Sequence, residues 1–182
     1  SQLGATCVAK SQMNEFAYGL TGENPHFGNC KHPLLRNCLS GGSSSGSAYL
    51  VAADYLPLSF GTDTGGSIRL PAAWCGVYGI RWIPGYFLEG AFPLAPSFDT
   101  MGWFSASAKD MTRTLLAWFN HDSTNTISEL NGRSILPKHL LEIESFDHLN
   151  KAISHLEINQ LTNSDSFEAL LSKCHSAFNV LQ

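Results

Sequence analysis

At 182 residues the chain is long enough to bury a core of its own, and its net charge of −4 without any basic block points away from nucleic acid. No run approaches the roughly 18 uninterrupted apolar residues of a membrane span, and the opening "SQLGATCVAKSQMNEF" shows no charged-then-apolar leader. Charged residues are only 14%, against roughly 25% in an average soluble domain, so either much of the surface is covered or the chain is part of a larger body.

Taken in order, "KSQMNEFAYGL" sets Met13, Phe16, Ala17 and Leu20 at helical spacing and predicts a helix. "TGENPHFGNCKHPLLRN" is dense in Gly, Pro and Asn and reads as an irregular loop. From Ser47, "SAYLVAADY" predicts a buried helix that starts as a Gly–Ser loop ends. "LPLSF" (residues 56–60) is a short strand broken by "GTDTGGS"; "LPAAWCG" is a short helix with Pro71 in its first turn; "VYGIRW" is a second strand. "SAKD" (residues 107–110) has capping-box spacing and introduces "MTRTLLAWF", with Met111, Leu115, Trp118 and Phe119 on one face.

Residues 121–133 are polar and read as a surface connection. Asp165 and Glu168 cap an expected last helix with the stripe Phe167, Leu170, Leu171, Cys174, Phe178 and Leu181. That stripe reaches Gln182 with no stop signal, so the chain is expected to be cut there. Strands alternating with helices give an α/β class, as one domain over residues 1–182. The five cysteines (Cys7, Cys30, Cys38, Cys75, Cys174) are odd in number and lack ligand spacing, which favours reduced thiols in a cytosolic setting over disulfides or zinc. The seven histidines are scattered and read as surface or structural residues.

Chemistry concentrates in two loops. In "GTDTGGS" a strand ends, and Gly65 and Gly66 free the backbone so that successive N–H groups converge. Ser67 follows directly, and a hydroxyl beside converging donors suits acyl transfer, whose tetrahedral intermediate carries negative oxygen. A phosphate-binding loop or a plain tight turn would look the same. "GGSSSGS" reads as a linker, as a helix N-cap, or as G-x-S-x-G over residues 42–46 with Ser44 at a nucleophile elbow. A P-loop fails because no Lys follows.

Together the loops resemble the amidase signature family of serine hydrolases: residues 41–48, then "GTDTGGSIRLPAAWCGVYGIR". The flanks "VAKSQMNEFAYGLTGENPHFG" and "APSFDTMGWFSASAKDMTRTLLAWF" are also similar, and "PSFDTMGWF" and "HSAFNVLQ" look most like small indoleacetamide-hydrolase-type amidases. The resemblance implies a core with a twisted mixed sheet flanked by helices, and a Ser–Ser–Lys triad. It puts Ser67 at the nucleophile and Ser43, 24 positions earlier, at the bridging serine held by a cis peptide bond. Backbone N–H groups of Thr64, Gly65, Gly66 and Ser67 would form the oxyanion hole. Asp63 and Arg69 would brace the loop, as an ion pair, with Ser44 and Ser45 as hydrogen-bonding neighbours.

The resemblance further implies no metal or organic cofactor, a small-molecule amide as partner, and neither nucleic acid nor membrane; a homodimer is left open. The family's lysine would lie upstream of the first loop, beyond the start of this chain. Lys10 matches a different family position and Lys31 falls in the irregular loop. The chain is thus expected to be the central part of an amidase, truncated at both ends and nearly inactive alone, with roughly 10³-fold residual acceleration from the oxyanion donors.

Other readings share these residues. The amidase subunit of an aminoacyl-tRNA amidotransferase carries the same signature, and a non-catalytic scaffold or receptor domain could keep the fold without the lysine. An α/β-hydrolase using Ser44 is a further alternative. The aromatics Trp74, Trp82, Tyr86, Phe87 and Phe92 suit either a core or an acyl pocket.

Overall fold

The computed structural model describes residues 4–84 and 90–118. Its centre is a three-stranded sheet of β1 (Leu58–Asp63), β2 (Tyr78–Arg81) and β3 (Thr100–Ser105), ordered β1-β3-β2. Both pairings are antiparallel; Trp103 faces Phe60 on one side and Ile80 on the other. β1 and β2 therefore run parallel to each other, and the helix between them, α2 (Arg69–Cys75), is their crossover. α1 (Ser45–Ala52) precedes β1, and α3 (Ala108–Trp118) follows β3.

Alternation along β3 builds two apolar layers. On one face Phe104 packs with Ala48 and Val51 of α1, Ile68, and Ala72 and Cys75 of α2. Phe104 is wholly buried, which contributes about 1.5–3 kcal/mol. On the other face buried Trp103 stacks on Trp82 (centroids 6.1 Å apart) and on Trp118 of α3 (5.8 Å), with Phe60 tilted against it. Trp82 thus belongs to a packed aromatic layer, whereas Trp74 and Phe92 are exposed.

Most sequence-predicted elements form. Pro71 sits at the third position of α2, where no intrahelical N–H is required. Ser107 caps α3: its Oγ accepts the Asp110 N–H at 3.1 Å and donates to the Asp110 carboxylate at 2.6 Å.

Two expectations need correction, and one strand was not expected. The helix expected near residues 10–20 is a 3-10 turn, Glu15–Ala17, with Phe16 at φ 52° and Ala17 at φ 59°. Buried Asn14 prevents the helix: its N–H donates to Ser43 O (3.0 Å), its Oδ1 accepts from Gly22 N (3.0 Å) and its Nδ2 donates to Glu23 O (2.8 Å). Phe16 is left 81% exposed, so the apolar spacing serves no buried face. β1 runs on to Asp63, three residues past the expected break, because β3 pairs with it to the end. β3 itself is a strand without a sequence signal; all six of its residues are buried, so it carries no polar alternation.

The connection at 121–133, the helix at 165–182, Cys174, Phe119, Tyr86 and Phe87 lie outside the described residues. Among the described residues no helix is long and apolar enough to cross a membrane.

Candidate active site

The second loop is folded around one carboxylate. Asp63 ends β1 and is fully buried. Its Oδ1 accepts from Gly66 N (2.9 Å) and Arg69 Nη2 (2.9 Å). Its Oδ2 accepts from Ile68 N (3.0 Å), Arg69 N (3.2 Å) and Arg69 Nε (3.1 Å). Three main-chain donors and a two-pronged guanidinium on one carboxylate bend residues 63–69 into a fixed hairpin-like path. Burial by itself pushes the Asp63 carboxyl up, but the Arg69 and main-chain hydrogen bonds outweigh it and hold it below its ordinary value. The same bond to Asp63 pushes the Arg69 guanidinium up. Arg81 Nε lies 3.3 Å from Asp63 Oδ1 without forming an aligned hydrogen bond, so that contact is coulombic.

The first loop is clamped from the other side. Gly42 N donates to Leu20 O (2.7 Å), and the Gly42–Ser43 peptide is cis. A Cβ at Gly42 would run into the Asn14 carboxamide, so only glycine lets this strand of loop lie against Asn14. Ser44 opens α1 but does not cap it with its side chain. Its Oγ donates to Thr62 O (3.2 Å) and accepts from Thr62 N (3.3 Å), tying the loop to β1. Gly61 makes room: a Cβ there would lie 2.8 Å from Ser44 Cβ.

These clamps bring the two loops together. Ser44 N donates to Ser67 O across 3.2 Å. Ser43 is wholly buried and Ser67 nearly so, at 5% exposure. The bridging role that the resemblance gives Ser43 calls for its hydroxyl to meet that of Ser67, but Ser43 Oγ has no hydrogen-bond partner among the described residues; the loops join through main chain instead. Ser45 Oγ is likewise buried without a partner. The four candidate oxyanion donors are not equivalent: Gly66 N–H is committed to Asp63, whereas the N–H groups of Thr64, Gly65 and Ser67 are not among those Asp63 engages. The Thr64 hydroxyl donates to Asp99 Oδ1. The site thus gathers a nearly buried serine, Ser67, main-chain N–H groups that Asp63 does not engage, and a second buried hydroxyl one residue from the joint.

Lys10, Lys31 and Lys109 are all exposed. Among the described residues no group of three His, Cys, Asp or Glu could hold a metal ion. Sequence reasoning missed Asn14, Arg81 and Asp99. Asn14 is hidden by the helical spacing around it, and Arg81 by its place in a strand. Asp99 had a signal, the Pro–Ser–Phe–Asp turn chemistry of "PSFD".

With that geometry in hand, likeness to known proteins is informative. The Amidase family profile matches residues 1–137. "Amidase 1" of Oryza sativa subsp. japonica is 47% identical over 113 residues, 60% of this chain and 26% of that protein. The A subunit of the glutamyl-tRNA(Gln) amidotransferase of Legionella pneumophila subsp. pneumophila is 42% identical over 147 residues, 79% of this chain and 29% of that protein. A solved structure described as "Crystal structure of amidase" superposes with a TM-score of 0.72 at 35% identity, covering 86% of this chain and 38% of that one. The chain thus spans between about a quarter and two-fifths of the length of these relatives.

Proposed function

The chain belongs to the amidase family, and from that premise we propose that it carries the acyl-transfer centre of an enzyme hydrolysing the C–N bond of a small carboxylic amide. One observation carries the reading: the 3.2 Å bond from Ser44 N to Ser67 O, which sets the nucleophile's residue against the loop holding a buried, unpartnered Ser43 hydroxyl.

Ser67 Oγ attacks the amide carbonyl carbon. Once the Ser67 hydroxyl turns to hydrogen-bond the unpartnered Ser43 Oγ, its proton passes there, and Ser43 gives its own proton to a lysine from outside this chain, kept neutral by desolvation. The carbonyl oxygen becomes an oxyanion held by main-chain N–H groups of Thr64, Gly65 and Ser67. The relay then returns a proton to the amide nitrogen, the C–N bond breaks, and ammonia or an amine leaves an ester on Ser67. Water, deprotonated by the same relay, attacks that ester and releases the carboxylic acid. Asp63 and Arg69 hold the loop in register throughout and touch no reacting atom. The free thiols of Cys7, Cys30, Cys38 and Cys75 support a cytosolic setting.

The test is covalent. The natural full-length protein and the 182-residue chain are each treated with a fluorophosphonate probe, and the adduct is mapped by mass spectrometry. An adduct on Ser67, lost in Ser67→Ala, is expected. An adduct on Ser44 selects the elbow alternative, and a full-length protein that takes no adduct sinks the hydrolase reading.

A second reading has its own support, since 79% of the chain aligns with an amidotransferase A subunit. Here the same serine would release ammonia from glutamine for use by a partner protein. Glutamine hydrolysis that rises several-fold on adding such a partner, with no turnover of simple amides, would select it.

A further inference from the structure

We propose that Asp99 is a positioning residue for the acyl-transfer loop, acting through the side chain of Thr64; the inference rests on the amidase reading above. Asp99 is 2% exposed and sits immediately before β3. Its two oxygens do different work. Oδ2 accepts from Leu94 N (2.8 Å) and Ala95 N (2.9 Å), closing the turn that Phe98 N and Asp99 N also close onto Ala95 O. Oδ1 adds nothing to that turn. It reaches across to the hydroxyl of Thr64, the first residue after β1.

Thr64 begins the row of main-chain N–H groups assigned to the oxyanion, and Asp63 governs only the far side of that row. Asp63 engages the amides of residues 66, 68 and 69, leaving residues 64 and 65 to be oriented by something else. Asp99 supplies the missing constraint: a charged acceptor fixes Thr64 χ1, and with it the entry angle of the peptide planes that follow. The turn is itself anchored, since Arg81 Nη2 donates to Phe98 O (2.7 Å) while Arg81 Nε lies beside Asp63. The 94–99 turn therefore holds the loop at both flanks, through Thr64 and through Arg81.

A buried turn cap with no role in the loop would need only Oδ2, and that difference is testable. Thr64→Val removes the donor while keeping shape and leaving the turn's own bonds intact; Thr64→Ser keeps the donor. Asp99→Asn is the third variant, and Thr64→Val decides if the Asp99→Asn protein does not fold. In full-length protein, Thr64→Val is expected to slow phosphonylation of Ser67 and kcat by about tenfold, with on the order of 10²-fold as the ceiling for misplaced groups. KM should stay unchanged, and Thr64→Ser should restore most of the rate.

Phosphonylation of Thr64→Val at the wild-type rate overturns the proposal. If wild-type protein takes no adduct at Ser67, the amidase reading has failed instead, and amide hydrogen exchange decides the brace by itself. Faster exchange at residues 64–67 in Thr64→Val but not in Thr64→Ser sustains it; equal exchange in both variants and wild type overturns it.

Discussion

The amide of Ser44 donates to the carbonyl of Ser67 across 3.2 Å, so two glycine–serine loops separated in sequence by a helix and a strand share one main-chain hydrogen bond. Because Ser44 is also stitched to Thr62 through its hydroxyl, β1 sets the height of the first loop against the second.

Gly61→Ala tests that coupling. The new methyl would meet Ser44 Cβ at 2.8 Å and must push Ser44 away from β1. Overpacking of this kind costs about 1–3 kcal/mol, read as a lower urea midpoint. Labelling of Ser67 by a fluorophosphonate should slow in the same variant. Unchanged labelling in a clearly destabilised Gly61→Ala protein would mean that the Ser44 stitch does not set the loop.

Asp63 makes acid a second lever. It releases its proton more readily when folded than when unfolded, since hydrogen bonds from Arg69 and the main chain outweigh burial. The resulting stabilisation is complete above the unfolded aspartate pKa of about 3.9 and is lost as pH falls from there through the lower folded value. Asp63→Asn should flatten this acid limb in denaturant titrations run from about pH 7 to about pH 2. At neutral pH the variant should lose about 3 kcal/mol, the low end for breaking a buried pair, because Arg69 is 55% exposed and water can solvate it. An acid limb as steep in Asp63→Asn as in wild type would assign it to other carboxylates.

Local signals made much of this legible in the sequence. α1, α2, α3 and β2 follow from apolar spacing, Pro71 and the Ser107–Asp110 cap, all of which act within a few residues. What escaped was decided at long range. β3 has no polar alternation because both its faces are covered, one by Phe104's neighbours and the other by tryptophans. The helix expected around Phe16 lost to Asn14, whose partners Gly22 and Ser43 lie 8 and 29 positions away. At the site, the hydroxyl beside paired glycines marked Ser67, and the resemblance to the amidase signature added Ser43 and Asp63. Which N–H groups Asp63 takes, and that Asp99 reaches Thr64, depend on how strands meet.

Thiol reactivity gives a third expectation. Cys7 and Cys38 are exposed, whereas Cys75 is buried, donates to Ser40 O at 3.3 Å, and has its thiol pushed up to about 11 by burial. At about pH 8 only about one Cys75 in 10³ would be thiolate, the form that reacts. Iodoacetamide at that pH should therefore modify Cys7 and Cys38 in native protein and reach Cys75 only after denaturant is added. Peptide mass spectrometry over time reads this directly. Native-state modification of Cys75 as fast as that of Cys7 would show that the α2 layer opens readily.

The last expectation concerns the contact between Asn14 and Gly42. Asn14→Ala strips the partners from Gly22 N–H and Glu23 O, a loss of about 1–3 kcal/mol for buried groups left unsatisfied. Gly42→Ala drives a methyl into the Asn14 carboxamide and crowds Gly22 N at 2.9 Å. In the double variant the carboxamide is gone, and of the three atoms nearest the methyl only Gly22 N remains, which must yield by a small amount. The two losses should therefore fall short of adding, by about 1 kcal/mol or more, as contacting sites do in a double-mutant cycle. Denaturation midpoints of the four proteins measure the coupling, and labelling at Ser67 shows whether the relieved loop regains its place. Additive losses would mean that Asn14 yields freely to a methyl at Gly42 and is no buttress for the loop carrying Ser43.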